Sequence, residues 1–118
     1  VIHVNFGIHD RRKTPEQYAA NLEKVVARLQ QAGAKLVWAR TTPFRDKGSA
    51  VEDGSVALNE TADAVMKKHG IPLNDLHAAI LPSVATARGE DGTHFNTDGI
   101  RILAAQVVKC LEPVLKKP

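Results

Sequence analysis

Cysteine is nearly absent from this chain, since Cys110 is the only one among 118 residues. A single cysteine excludes an internal disulfide and any zinc site built from several cysteines. Aromatic residues amount to 4%, the formal net charge is only +3, and Arg11-Arg12-Lys13 is the one basic block, so no nucleic-acid partner is expected. No apolar run approaches the roughly 20 residues of a membrane span, and none is predicted.

The rest of the composition is that of an ordinary globular domain. Hydrophobic residues make up 43% and charged residues 25% of the chain, proportions at which a chain folds around a core. A length of 118 residues suits one domain. Because the sequence opens on Val1 within a segment typical of a strand, we expect a single domain over residues 1–118 that is incomplete at its N-terminus.

Apolar periodicity predicts strands and helices in alternation. The β-rich segments that predict strands are Val1–Phe6, Lys35–Arg40 and Ile71–Leu73. Helices are predicted from a Thr14 cap to Gly33, from about Leu58 to Gly70, over Leu76–Leu81, and from an Asn96 cap to Pro113, where proline should bend or end the helix. The last helix is expected to bury its apolar positions, which are Ile100, Leu103, Ala104, Val107, Val108 and Leu111.

This alternation predicts an α/β fold in which parallel strands form one sheet with helices on both faces. Ligand sites in such sheets lie at the carboxyl ends of the strands. Those ends carry Gly7–Asp10, Thr41–Phe44 and the loop that holds Asp91 and His94. We therefore expect the functional residues to converge on this edge of the sheet.

Asp91 and His94 form the sharpest chemical signal, a D-x-x-H spacing just before the last helix. This spacing can set a carboxylate beside an imidazole, which fixes the tautomer of the ring and leaves its other nitrogen to take a proton from a nucleophile. The same residues also fit an Asx turn with an exposed histidine. The spacing alone leaves both interpretations open.

A second signal, Asn5–Asp10, follows the first predicted strand. Gly7 permits a tight turn in which the backbone comes close to a ligand, and a side-chain donor in such a turn can face an oxyanion. The alternative is a plain glycine turn in which Asp10 hydrogen-bonds its own loop.

Together the two segments resemble the SGNH (GDSL-like) hydrolases. Gly7-Ile8-His9-Asp10 resembles the third block of that family, usually G-x-N-D, and Asp91-Gly92-Thr93-His94 resembles its fifth block, D-x-x-H. Intervening segments are similar in the same order, among them Thr41-Thr42-Pro43 and His69-Gly70-Ile71-Pro72.

The resemblance implies a flavodoxin-like three-layer α/β/α fold and a serine ester hydrolase. The implied substrates are acyl or O-acetyl esters of small molecules or carbohydrates, and no cofactor is implied. His94 would be the general base and Asp91 the residue that orients it. The loop residues assigned to the oxyanion or substrate side, and to its support, are Gly7, His9, Asn5, Asp10 and Thr42.

Two departures from the family pattern limit this transfer. His9 occupies the family's asparagine position, so its capacity to donate a hydrogen bond depends on tautomer and pH, and Asn5 is a second candidate amide. The G-D-S block with the nucleophile has no counterpart here, and Ser55 is interpreted as a helix cap. We expect the nucleophilic serine outside this chain; the alternative is a non-catalytic binding module or an inactive homologue of the same fold.

A metal site is the remaining chemical alternative. A zinc site would form if the fold brought together the side chains that can ligate zinc, which are His3, His9, Asp10, Asp91, His94 and Asp98. Their spacing does not require it, and no glycine-rich phosphate cradle is found, so neither a metal nor a cofactor is expected. A sheet of three parallel strands leaves an unpaired edge, and we expect an N-terminal segment, a companion chain or a second copy as partner.

Overall fold

The computed structural model describes residues 1–117 of the chain. These residues form three short parallel strands and five α-helices, joined by loops. The strands are β1 (Ile2–Val4), β2 (Leu36–Ala39) and β3 (Leu73–Asn74), paired in the order β1-β2-β3. The helices are α1 (Pro15–Gln30), α2 (Ser55–Lys68), α3 (Leu76–Ile80), α4 (Val84–Ala87) and α5 (Thr97–Lys116). Single turns of 3-10 helix occur at Ile8–Asp10 and Leu81–Ser83. The predicted α/β alternation and parallel sheet are confirmed.

β2 is the central strand and is buried along its whole length. Its register pairs Trp38 with Val4 of β1 and with Leu73 of β3. Successive strand residues point to opposite faces, so Trp38 packs into the core with α1 and α2, while Val37 and Ala39 face the side of α5. The sheet therefore lies between two helical layers, as a three-layer α/β/α fold requires.

The start of α1 follows from its sequence. Thr14 Oγ1 accepts a hydrogen bond from the Gln17 backbone N–H at 3.2 Å, and the Gln17 side chain accepts one from the Thr14 N–H at 3.1 Å, the reciprocal pair of a capping box. Pro15 takes the first helical position, where a missing N–H loses no helical bond. The face that α1 buries against the sheet consists of Tyr18, Leu22 and Val26.

The segment after α2 differs from its prediction in two places. β3 begins at Leu73 rather than at Ile71, because Pro72 has no N–H for the ladder. The Pro72 carbonyl instead accepts a hydrogen bond from the Trp38 N–H at 2.9 Å. A separate short helix, α4, also follows α3 where the apolar pattern predicted one helix only.

Pro113, expected to bend or end the last helix, does not end it, since α5 continues to Lys116. Proline removes one intrahelical hydrogen bond, the bond to the carbonyl four residues earlier. That carbonyl belongs to Lys109, which is exposed, so water can replace the missing donor. None of the helices described, α5 included, is long and apolar enough to cross a membrane.

The apolar side of α5 is only partly buried, contrary to expectation. Gly99 is the one buried residue of this helix, and Ile100 and Val108 are 58% and 61% exposed. α5 packs mainly on α3, α4 and β3, which leaves the rest of its apolar side uncovered within residues 1–117. An amphipathic pattern shows which side of a helix is apolar but not what lies over it. The other expected core positions are half-buried (Leu103, Val107 and Leu111) or exposed (Ala104).

Asn59 ties α2 to the end of β2. Its Oδ1 accepts a hydrogen bond from the Thr41 N–H at 2.8 Å, and its Nδ2 donates one to the Thr41 carbonyl at 2.9 Å. Both residues are buried. One amide side chain thus satisfies both backbone polar groups of the residue that follows the strand by two positions.

We predict that Asn59→Ala lowers the free energy of unfolding by about 2–4 kcal/mol, because it leaves two buried backbone groups without partners. Urea denaturation followed by circular dichroism measures the change. Glu60→Ala, at the neighbouring exposed position of α2, is the control and should stay within about 0.5 kcal/mol. Equal midpoints for the two variants would contradict the role of Asn59.

Candidate active site

A cavity of about 410 Å³ opens at the carboxyl edge of the sheet. It is bounded by the ends of β1 and β2, by α3, by the loop before α5 and by the first turn of α5. The loops that the sequence places at this edge therefore do meet there. The lining residues are Asn5, Ile8, Arg40, Thr41, Thr42, Phe44, Leu76, Thr93, His94, Phe95 and Ile100.

Asp91 and His94 form a hydrogen-bonded pair at the mouth of this cavity. Asp91 Oδ2 lies 2.5 Å from His94 Nδ1, while Asp91 Oδ1 accepts the backbone N–H groups of Thr93 and His94 at 2.9 Å. The loop is thus an Asx turn that also sets a carboxylate beside an imidazole, and the catalytic interpretation of this pair stays a prediction. A carboxylate can only accept, so Nδ1 carries the proton and Nε2 is the basic nitrogen.

The charge on Asp91 is stabilised by these contacts. The hydrogen bond from the His94 ring is the largest cause, followed by the backbone N–H groups of His94 and Thr93, and together they lower the pKa of Asp91 to about 2. Asp91 is therefore ionised at neutral pH and can stabilise an imidazolium. The His94 side chain is 84% exposed, which leaves Nε2 accessible to a reacting group.

The loop that holds this pair is fixed by backbone contacts. The Arg45 N–H donates to the Gly92 carbonyl at 2.9 Å, and the Gly89 N–H donates to the His94 carbonyl at 2.7 Å. Gly92 has φ +76°, and a Cβ there would lie 2.3 Å from the Arg45 carbonyl oxygen. Only glycine meets both conditions. At the end of the loop, Asn96 caps α5 by accepting the Gly99 N–H at 3.0 Å, as the sequence predicts.

Asn5 points its amide at the end of β2 rather than at a ligand. Its Nδ2 donates to the Ala39 carbonyl at 2.7 Å and to Thr41 Oγ1 at 3.0 Å. An amide nitrogen has two hydrogens, so both are engaged, and turning the amide over would set two oxygens against each other. Asn5 therefore holds Thr41 in this structure while it lines the cavity, and its role as an oxyanion donor stays a prediction.

Gly7 is required by close packing. A Cβ at this position would lie 1.9 Å from Thr41 Oγ1, so any larger residue would displace the Thr41 side chain. Thr42, the next residue, is half-buried and lines the cavity. Gly7, Asn5 and Thr41 thus form one packed corner between the ends of β1 and β2.

The structure does not bring His9 into the cavity. His9 is exposed on the 3-10 turn after β1, and Ile8 is the residue of that turn which lines the cavity. Asp10 is half-buried and lies near Tyr18, where burial first and the charge of Asp10 second raise the pKa of the phenol. A role for His9 in catalysis stays a prediction.

Ser55 is the serine whose setting most resembles a catalytic one. It is fully buried and its hydroxyl donates to Asp53 Oδ1 at 2.5 Å, while Asp53 Oδ2 lies 2.7 Å from His77 Nε2. Burial alone would raise the pKa of Asp53, but the hydrogen bonds from Ser55 and His77 lower it. The carboxylate stands between serine and imidazole, so His77 cannot take the proton of Ser55.

Ser55 is also not the cap that its sequence position predicts. It is the first residue of α2, and the Asp53 side chain accepts its backbone N–H at 2.9 Å. The other serines are Ser49, which is exposed, and Ser83, which is half-buried. None of the three lines the cavity that His94 lines.

Metal-ligating side chains are scattered rather than clustered. In the described part of the chain, no three His, Cys, Asp or Glu residues lie together in a way that could hold a metal ion. His3 instead contacts Asn74 through Nε2 at 3.1 Å, and burial lowers its pKa. Asp98 faces Arg101 on the first turns of α5 at 3.4 Å.

The fold and the pair define the class of protein, an α/β domain with an oriented histidine at the carboxyl edge of a parallel sheet. Residues 1–102 match the family model of the GDSL-like lipases and acylhydrolases. The chain belongs to this family. A comparison with curated proteins finds no match.

Solved structures share this fold. A GDSL-like lipase from Bacteroides thetaiotaomicron is 16% identical with a TM-score of 0.74, over 97% of this chain and 62% of that one. A lipase/acylhydrolase from Enterococcus faecalis is 22% identical with a TM-score of 0.73, over 91% of this chain and 55% of that one. The esterase domain of the ORF1 protein of the zebrafish ZfL2-1 retrotransposon is 14% identical with a TM-score of 0.73, over 86% of this chain and 61% of that one. The chain thus spans between 55% and 62% of the length of these structures.

We predict that the Asp91 carboxyl titrates near pH 2 and that His94→Ala raises its pKa. This variant loses the hydrogen bond from the imidazole ring, but the two hydrogen bonds from backbone N–H groups remain. The pKa of Asp91 should therefore stay somewhat below its ordinary value of 3.8. The stabilisation that the bond gives is complete above about pH 4 and is lost as the pH falls toward 2. A carbon-detected NMR titration of the carboxyl measures this, and His69→Ala is the control. A pKa of 3.8 in the unmodified protein would contradict it.

We predict a larger cost for Gly92→Ala than for Gly33→Ala. Both glycines have positive φ, but a Cβ at Gly33 meets nothing within 4 Å, so its cost is about 1–2 kcal/mol of backbone strain. Gly92→Ala adds the collision with Arg45 and should cost about 3 kcal/mol or more. Urea denaturation compares the two variants, and only Gly92→Ala should also raise the Asp91 pKa. If both variants lost the same free energy of unfolding and the pKa of Asp91 did not change, Gly92 would not be what holds the loop.

Proposed function

We propose that this chain carries the general base and its orienting carboxylate in a serine ester hydrolase. The observation that carries the proposal is the Asp91–His94 pair beside the cavity. An imidazole with Nδ1 bound to a carboxylate and Nε2 free is the arrangement that activates a hydroxyl nucleophile. Membership of a lipase and acylhydrolase family supports an ester as the substrate.

In the proposed reaction, His94 Nε2 takes the proton of a serine hydroxyl as the serine oxygen attacks the ester carbonyl. Asp91 stabilises the imidazolium that forms. His94 then returns the proton to the departing alcohol, and the acyl-serine remains. Water attacks this intermediate under the same base, which releases the acid and regenerates the serine. The lining of the cavity, largely apolar with several threonines, supports acyl or O-acetyl esters of small molecules or carbohydrates.

We propose further that the nucleophilic serine lies outside these 118 residues. Ser49, Ser55 and Ser83 are absent from the cavity lining, and Ser55 is committed to Asp53. The source of the nucleophile would be a further segment of the same protein, a companion chain or a second copy of this chain. A protein without such a source would be a non-catalytic binding module of the same fold.

We predict that His94→Ala lowers kcat for p-nitrophenyl acetate by at least about 10³-fold in the complete protein, the scale for loss of a catalytic base. His69→Ala is the matched control, because His69 caps the C-terminal end of α2, pairs there with Glu23 of α1 at 2.6 Å and does not line the cavity, so turnover should be unchanged. Thermal melts establish that both variants fold.

Covalent labelling completes this test. A fluorophosphonate should modify one serine, and peptide mass spectrometry should place it outside residues 1–118. Undiminished turnover in folded His94→Ala would disprove the role of the base, and a label on Ser49, Ser55 or Ser83 would disprove the external nucleophile. If the complete protein showed no turnover and no labelling, the result would favour the alternative, a non-catalytic binding module.

A further inference from the structure

Two asparagine side chains hold Thr41 in the cavity wall. Its N–H and its carbonyl are both bound by the buried Asn59 side chain, at 2.8 and 2.9 Å. Its Oγ1 accepts a hydrogen bond from Asn5 Nδ2 at 3.0 Å. The residue is only 6% exposed, so two asparagine amides fix its backbone and its side-chain oxygen in one orientation.

These contacts engage every polar group of Thr41 except the hydrogen of its hydroxyl. Within residues 1–117 the Thr41 hydroxyl donates to no protein acceptor, although Oγ1 itself is bound by Asn5. Gly7 closes one side, because its Cα packs against Oγ1 so closely that a Cβ would lie 1.9 Å away. Thr41 also borders the cavity, which His94 lines as well.

A hydroxyl that accepts one hydrogen bond becomes a stronger donor for a second. A donor that is already oriented in a partly desolvated cavity can stabilise developing negative charge without reorganising during the reaction. Thr41 meets both conditions, because Asn5 polarises its oxygen and Asn59 fixes its backbone. The amide of Asn5, by contrast, has both hydrogens engaged.

We propose that the Thr41 hydroxyl donates a hydrogen bond to the carbonyl oxygen of the bound ester and stabilises the oxyanion that forms there. The inference rests on the proposed esterase function and adds a catalytic residue to it. Asn5 and Asn59 are then positioning residues that act through Thr41. Gly7 serves the same arrangement, because it leaves space for the Thr41 side chain.

The test compares Thr41→Val with Thr41→Ser in the complete protein, with p-nitrophenyl acetate as substrate. Valine keeps the shape of threonine and removes the hydroxyl, whereas serine keeps the hydroxyl. We expect Thr41→Val to lower kcat by about 10²-fold, the scale of one lost oxyanion donor, with KM within about twofold. Thr41→Ser should stay within about threefold of the unmodified protein.

Thr61→Val is the matched control, because it makes the same substitution on α2, where the hydroxyl donates to the Ala57 carbonyl at 3.2 Å. Its turnover should be unchanged. If Thr41→Val does not fold, the comparison of Thr41→Cys with Thr41→Ser decides, since both side chains are small and unbranched and the thiol is the weaker donor. The thiol variant should then show the kcat loss that the hydroxyl variant does not.

The outcomes separate this inference from the function on which it rests. Turnover that depends on His94 and is normal in folded Thr41→Val would overturn the role of Thr41 and leave the esterase intact. A change confined to KM, or equal losses in Thr41→Ser and Thr41→Cys, would also overturn it, because shape rather than the hydroxyl would then matter. Absence of ester turnover in the unmodified protein would overturn both proposals.

Discussion

The hydrogen bonds between Asn59 and the backbone of Thr41 are the constraint on which the cavity depends. A strand that ends inside a protein leaves backbone groups that the sheet no longer pairs, and a buried unpaired group destabilises the fold. Asn59, which lies on α2, pairs both backbone groups of Thr41 and so avoids this destabilisation. The same two bonds set the direction in which the chain leaves β2. The position of Thr41, the closeness of Gly7 and the engagement of Asn5 all follow from this direction.

Local signals predicted the parts of the structure that depend on neighbours in sequence. The Thr14–Gln17 capping box, the Asn96 cap and the Asp91–His94 pair each join residues three positions apart, so their geometry is fixed by the chain itself. The alternation of strand and helix patterns predicted the parallel sheet, although its strands are distant in sequence, because a crossover helix between two strands favours a parallel arrangement. These features need no knowledge of what packs against them.

Contacts between distant segments were not predictable in this way. Asn5 is a free amide when only its own loop is considered, and the Thr41 oxygen that engages it lies 36 residues away. Asn59 sits on α2 among apolar positions without any pattern that marks it as the partner of Thr41. The exposure of Ile100 and Val108 is a failure of the same kind, because periodicity identifies an apolar side but not its cover.

Ile100 connects the exposed side of α5 to the candidate active site. It lines the cavity with His94 and is also one of the most exposed large apolar residues of the described chain. The apolar side of α5 continues from it along the helix to a groove lined by Val107, Val108, Leu111 and Leu115. The wall of the cavity and the uncovered helix side are therefore one surface. A segment that packed on α5 over Ile100 would lie beside the cavity, where the proposed reaction requires a nucleophile from outside the chain.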